Sequence, residues 1–457
     1  MKQRPNSIAA RDIASLLHPQ TNLRQHLAKG PELTHRGSGV HVYDDQGSAF
    51  IDASSGLWCA SLGFAVERLA KVAYEQMSQL SYSHLYRHRS HEAAIELAER
   101  LLDIAPVPMS KVLFQCSGSE ANDVAIKLVW YYHNAIGKPE KRKIIARQMG
   151  YHGSTVAAVS LSGKPDMHAD FNLPLDGFLH TDWPHYYRFG RNGESEDEYS
   201  TRLAESLEQM ILAEGPETIG AFFAEPVMGA AGGVLPPSGY FEKVQSVLRQ
   251  YDILFVADEV ICGFGRTGRM WGSETFGIVP DMLTSAKALS AAALPISAVM
   301  VNDKIFQAML SESDKLGSFA HGFTYAGHPV SAAVALETLK IYDEIDLLER
   351  ARENGERLSH ALAPVAQHPL VGDISQAGML AGIELVSNKT TRQSFDTEVE
   401  IATRVASASQ RHGLIHRAMG QRVAFAPPFV ISEVEMRQVG ERFLSALDEV
   451  WSEVQLH

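Results

Sequence analysis

Lys111-Val-Leu-Phe-Gln-Cys-Ser-Gly-Ser-Glu-Ala-Asn122 joins a short apolar run to a turn of small residues, and the helical pattern Glu120 to His133 follows at once. A strand, a tight turn and a helix in that order are the unit of a mostly parallel α/β sheet. The unit recurs downstream. Ile219 to Ala224 precedes Tyr240 to Tyr251, and Ile253 to Ala257 is followed closely by Met282 to Ser285 and Ser297 to Val301. A stretch punctuated by Gly and Pro runs from Gly317 to Pro329. From Val330 the pattern turns to long helices, Val330 to Asp343 and Asp346 to Leu362, then to short strands at Met379 to Leu385 and Gly413 to Phe425 and a last helix from Glu433 to Val454. These shifts predict a large domain over residues 61–330 and a smaller α+β domain over 331–457. Val40 to Tyr43 and Ala49 to Asp52 read as a hairpin around Asp45-Gln46-Gly47, so residues 1–60 are expected to pack as a segment beside the small domain. The Gly-, Glu- and Asp-rich run from Arg188 to Ser200 reads as a solvated surface excursion.

Composition narrows the chemistry. The 457 residues are 45% hydrophobic and 21% charged, the balance of an ordinary soluble chain of one large or two unequal domains. Forty-one Lys and Arg against 54 Asp and Glu give a net charge of -13, with no long basic run. Nucleic-acid backbones and anionic membrane surfaces are therefore poor partners. Three scattered cysteines, Cys59, Cys116 and Cys262, form neither a disulfide framework nor a zinc knuckle. Met1 to Leu17 has no apolar core of a secretory leader, and Ala288 to Val301 is shorter than the roughly 18 residues of a membrane span. A cytoplasmic location is expected.

Gly263-Phe-Gly-Arg-Thr-Gly268 matches G-x-G-x-x-G after an apolar strand, but Gly272, Gly277 and Pro280 leave no room for the helix that a dinucleotide site needs. The strand also ends in Asp258-Glu259, which would repel a pyrophosphate. His84, His88 and His91 lie at near-helical spacing without supporting carboxylates, and no metal site is read from them. Three other signals gain weight from their order. In Cys116 to Asn122 the free N–H groups of Gly118 and Ser119, with the Ser119 hydroxyl, could hold a phosphate, although a plain capped turn has the same sequence. Asp258 ends a hydrophobic strand, where a carboxylate is expensive unless a cation meets it; a structural salt bridge would also serve. Lys287 stands alone among small and apolar residues, where desolvation would make it a nucleophile; most such lysines only snorkel. A phosphate cup, an acid for a pyridine nitrogen and a buried lysine are what pyridoxal phosphate chemistry requires.

The set Ser117-Gly-Ser-Glu-Ala-Asn122, Tyr151-His-Gly153, Phe223-Ala-Glu-Pro226, Asp258 to Gly268, Lys287 and His321-Gly-Phe-Thr-Tyr-Ala-Gly-His-Pro329 resembles the class III aminotransferases over nearly the whole chain, among them the amine and ω-amino-acid:pyruvate transaminases. The resemblance implies the fold type I architecture of pyridoxal 5'-phosphate-dependent transferases, a mostly parallel central sheet with a smaller α+β domain. It implies that Lys287 bonds to the cofactor, that Asp258 pairs with its ring nitrogen, and that Val260 and Tyr151 cover its two faces. Gly118 and Ser119 would hold its phosphate, and Glu225 would belong to the same cofactor site. Thr324 would reach the phosphate of the neighbouring subunit, which implies a homodimer with active sites at the interface. In the implied ping-pong reaction an incoming amine displaces Lys287, whose freed amine then moves the substrate proton.

Departures within the family refine the substrate. Ser154, Ala230 and Ala424 stand where 2-oxoglutarate-coupled members carry an arginine, a glutamate and an arginine. Gly413-Leu-Ile-His-Arg417 matches the segment in which pyruvate-coupled members place a mobile arginine, so Arg417 is the expected acceptor anchor. Leu57, Trp58, Leu85, Tyr86 and Ala230 would line an apolar donor pocket, with Trp58 as plain core the competing reading. Lys287-Ala-Leu289 and Ala292-Ala293 replace the usual Lys-Gly-Leu and Gly-aromatic pairs, which leaves the pocket's size open. Transfer from a primary amine or ω-amino acid to pyruvate is the expected activity. The alternatives are 4-aminobutyrate, β-alanine, taurine or diamine donors, and a decarboxylase or aminomutase on the same fold.

Overall fold

The structure, a computed structural model, describes residues 6–455. Its N-terminal ribbon follows from local chemistry: β1 (Thr34–Ser38), β2 (His41–Asp44) and β3 (Ala49–Asp52) pair antiparallel. Asp44 Oδ1 accepts from the N–H groups of Gln46 and Ser48, and Gly47 supplies the positive φ that the turn needs.

The central sheet comprises β4 (Lys111–Gln115), β5 (Lys143–Arg147), β6 (Phe178–Thr181), β7 (Ile219–Ala224), β8 (Leu254–Asp258), β9 (Met282–Ser285) and β10 (Ser297–Val301) in the order β4-β10-β9-β8-β7-β5-β6. Strands β8, β7, β5, β6 and β9 pair parallel, while β10 runs antiparallel to both neighbours. Every residue of β7 and β8 is buried, as a sheet covered on both faces demands. Helix Gly118–Ala135 covers one face through Ala121, Val124 and Leu128. Helices Glu196–Glu214 and Tyr240–Gln250 cover the other through Leu203, Leu207, Phe241 and Val244.

One expectation fails here. The run from Arg188 to Ser200 is not all solvated excursion. Ser195 caps the helix Glu196–Glu214 in a reciprocal pair with Glu198, Tyr199 and Ser200 are buried, and Arg188 is bonded to Glu384. The S-x-x-E capping box was masked by the density of charge around it.

The C-terminal sheet holds β11 (Val371–Ala377), β12 (Leu380–Leu385), β14 (Arg417–Met419) and β15 (Arg422–Phe425) in the antiparallel order β11-β12-β15-β14. The two-residue strand β13 (Leu414–Ile415) leaves that sheet and pairs parallel with β3, which seats the N-terminal ribbon beside the chain end. Helices Ile401–Arg411 and Glu433–Val454 pack against each other here. One apolar cluster, including Ile51, Leu97, Leu289, Tyr342, Phe425 and Phe443, runs from the ribbon through the helix Pro329–Glu344 into this sheet. No described helix is long and apolar enough to cross a membrane.

Candidate active site

The ends of β4, β7, β8 and β9 meet around a cavity of about 350 Å³, bounded by Gly118, Ser119, Tyr151, Asp258, Val260 and Lys287. Its first wall is the start of helix Gly118–Ala135. Ser117 Oγ accepts from the Glu120 N–H, and Glu120 Oε2 accepts from the N–H groups of Cys116 and Ser117. This capping box leaves the N–H groups of Gly118 and Ser119 without a partner among the described residues. Free amides at the positive end of an 18-residue helix suit a phosphate. Glycine is required on both sides: a Cβ on Gly118 would come within 2.9 Å of Val260 Cγ1, and one on Gly153 within 2.6 Å of Ser119 Oγ.

Asp258 is buried at the end of β8. Its Oδ1 accepts from the Val260 N–H at 3.1 Å, and its Oδ2 lies 2.8 Å from Asn122 Nδ2 and 2.7 Å from His152 Nδ1. Asn122 is itself fixed, donating to the His152 carbonyl and accepting from the Thr284 hydroxyl. Asn122 and His152 lay inside the quoted motifs, but their grip on Asp258 was missed. Nothing short of the fold reveals it, because Asn122 and His152 reach that acid from 136 and 106 residues away.

Glu225, buried at the end of β7, accepts the Tyr151 N–H through Oε1 and so fixes the backbone beneath the tyrosine. Burial raises its carboxyl pKa, and the His152 and Arg147 charges oppose that rise. Lys287 opens the short turn Lys287–Ser290 at φ +50, a left-handed conformation unusual for a side-chain-bearing residue. Burial lowers the pKa of its amine, and Asp258 is the largest opposing charge. That shift is in the direction of the free amine, the nucleophilic form. Ala291 and Ala292 also have positive φ, and Ala292 lines the cavity.

Other expected residues lie elsewhere. Trp58 is 5% exposed and packs with Val227, Ile261, Cys262 and Ala424, and Ile261 itself lines the cavity. Leu57 is 57% and Tyr86 42% exposed on the outer surface, Leu85 packs against the core beside Gly327, and Ala230 sits in the short turn Gly229–Ala231. Within one chain, Leu57, Trp58, Leu85, Tyr86 and Ala230 are not among the side chains that line the cavity around Lys287. Thr324 is exposed, its carbonyl accepting from the Tyr82 hydroxyl. Arg417 is half-buried on β14 and outside the cavity lining. The Gly263 to Gly268 turn begins no helix, and the Glu259 carboxylate takes the N–H groups of Gly272 and Ser273 at the start of the short helix Gly272–Phe276.

Free amides at a helix start, a clamped carboxylate and a lysine whose pKa burial lowers surround one cavity at the strand ends. The residues present fit pyridoxal phosphate, and together with the sheet order they define a pyridoxal phosphate-dependent transferase of fold type I. Residues 27–447 match the model of the family described as aminotransferase class-III, and the chain belongs to that family. It is 45% identical over 456 residues to gamma aminobutyrate transaminase 3, chloroplastic, of Solanum lycopersicum, covering 98% of this chain and 88% of that one. It is 46% identical over 426 residues to vanillin aminotransferase of Capsicum chinense, covering 93% of each. Among solved structures, the omega transaminase from Pseudomonas jessenii in complex with PMP superposes with a TM-score of 0.97 at 51% identity, over 98% of this chain and 99% of that one.

Proposed function

We propose that this aminotransferase moves amino groups from uncharged primary amines or ω-amino acids to pyruvate, and that it does so as a homodimer. The observation that carries the acceptor is Arg417. No carboxylate lies within ion-pair distance of it among the described residues, and its buried Nε has no hydrogen-bond partner. Burial lowers its pKa, and the opposing charge is that of Asp52, whose carboxylate is already engaged by Ser54 and Gly56. A half-buried guanidinium without an anion is relieved by an incoming carboxylate. Ser154, Ala230 and Ala424 offer no second cation for a distal carboxylate, and Ala424 lies opposite Arg417 across β14 and β15.

Bound pyridoxal phosphate supplies the electron sink for the bond that breaks at the substrate carbon. Lys287 Nζ, as a free amine, would take up the proton lost from that carbon and deliver it to the next acceptor. Asp258, whose position Asn122 and His152 fix, would pair with the ring nitrogen. The Gly118 and Ser119 amides would hold the phosphate, and Val260 and Tyr151 would cover the ring.

Two single-turnover experiments on Arg417→Ala test the acceptor. Loss of a buried charge partner costs about 2–5 kcal/mol, so the pyruvate half-reaction should fall well over tenfold. The half-reaction with a simple arylalkylamine, which has no carboxylate, should stay near the wild-type rate. Equal losses in both, or a wild-type preference for 2-oxoglutarate, would reject pyruvate. A second reading, 4-aminobutyrate as the donor, is supported by the relatives described as gamma aminobutyrate transaminases. A donor panel with pyruvate in excess separates the two.

A further inference from the structure

We propose that Asp12, His18 and His26 form a site for a divalent first-row transition ion with zinc-like ligand preference, which ties the two N-terminal helices together. Asp12 lies in the helix Ile8–Ser15, His26 in the helix Leu23–Lys29, and His18 in the connection between them. His18 Nε2 is 3.0 Å from both carboxylate oxygens of Asp12, and His26 Nε2 is 3.0 Å from Oδ1. One ligand atom from each residue falls within 4.8 Å of the others. The imidazoles stack with centroids 4.1 Å apart and a tilt of 34°, which aims both rings at the same carboxylate. The side chains of Asp12, His18 and His26 are 12%, 26% and 9% exposed, a partly enclosed group open on one side to water.

Coordination distances of about 2.0–2.2 Å around a tetrahedral ion separate neighbouring ligand atoms by roughly 3.3–3.5 Å, close to the 3.0 Å by which each Nε2 stands from Asp12 Oδ1. Two imidazoles and a carboxylate suit zinc, nickel or cobalt rather than calcium or magnesium, which prefer all-oxygen sets. Water would complete the coordination.

A second, independent observation says why such a clip belongs here. Neither helix buries a single side chain, and Leu16, Leu17, Leu23 and Leu27 are exposed. Helices of eight and seven residues do not hold themselves in water, and segments without a core are commonly stapled by a metal or another cross-link. The three side chains are the polar link between them. None lines the Lys287 cavity, so the site is separate from the chemistry.

The test uses full-length holoenzyme stripped with a chelator, dialysed and titrated with zinc chloride by calorimetry. One ion per chain is expected. His26→Gln, which keeps an N–H donor for Asp12 but loses the imidazole ligand, should weaken binding at least tenfold, and His18→Gln/His26→Gln should abolish it. Transamination and the bound-cofactor absorbance should be unchanged in both. Zinc should also slow tryptic cleavage at Arg11 and Arg24 in the wild type but not in the double variant. Less than half an ion per chain, or equal affinity in the double variant, overturns the proposal; the second result would place the ion elsewhere.

Discussion

Lys287 is held in a costly state in two respects: burial lowers the pKa of its amine, and its backbone sits at φ +50. Strain of this kind persists only where the surroundings enforce it, here the buried Ala286 and Ala288 on either side. Lys287→Ala should therefore abolish steady-state transamination while the Gly118 and Ser119 amides still retain the cofactor. Gel filtration with added pyridoxal phosphate reads the second part, and residual turnover in the variant would show that another group moves the proton. Asp258 poses a different question, because a carboxamide oxygen could keep the Asn122 and His152 bonds made to Oδ2 and give up only the Val260 N–H bond made to Oδ1. Asp258→Asn keeps the shape and loses the charge. The half-reaction rate should fall about a hundredfold or more, while the melting temperature changes little. A rate close to wild type would assign Asp258 a structural role alone.

At the scale of elements, Glu259 shows how one carboxylate orders a turn. Its oxygens take the N–H groups of Gly272 and Ser273 and the Ser273 hydroxyl, and burial raises its pKa to about 7. In the unfolded chain the same group ionises near pH 4.3. Between those values the folded state binds a proton that the unfolded state has released, so this contribution is full at low pH and is lost as pH rises through about 7. The melting temperature of wild type minus that of Glu259→Gln should accordingly shrink from pH 5 to pH 8. A difference that is flat or grows with pH would mean that the carboxylate is ionised throughout. Many strands and helices were legible because their cues are local: apolar runs of four to six residues, a capped turn of small residues at Cys116 to Asn122, turn residues at Asp45-Gln46-Gly47. The Ser195–Glu198 box was equally local, yet the acidic residues around it read as solvent-facing. The antiparallel placement of β10 between β4 and β9, and the departure of β13 to β3, depend on pairings that no short window contains. The gathering of Lys287, Asp258, Gly118 and Ser119 at one cavity was legible through motifs; the surroundings of Trp58 and Arg417 were not, since these are set by packing between distant segments.

For the whole molecule, two of the residues expected to shape the donor pocket, Leu57 and Tyr86, and the residue expected to reach a phosphate, Thr324, are exposed in a single chain. Leu57, Tyr86 and Tyr325 are 57%, 42% and 62% exposed, and Tyr82 packs edge-on to Tyr325 while donating to the Thr324 carbonyl. Exposed aromatic and aliphatic side chains of this kind favour burial against another protein surface, and in the proposed homodimer that surface is a second copy. The neighbouring subunit's phosphate would then meet the Thr324 hydroxyl, so the cofactor would tie two chains together. Ligands that bind only the assembled form shift the assembly equilibrium towards it by mass action. Sedimentation of holoenzyme should give a dimer, and removal of the cofactor should move dilute protein towards monomer and lower its melting temperature. Thr324→Ala separates the phosphate contact from general packing. It removes one hydroxyl and leaves the Tyr82 bond intact, because that bond is made to the Thr324 backbone carbonyl. The variant should lose cofactor on dilution several-fold faster than wild type, with the Lys287 cavity of each chain unaltered. Identical cofactor retention in wild type and variant would remove Thr324 from the site, and a holoenzyme that sediments as a monomer would remove the dimer itself.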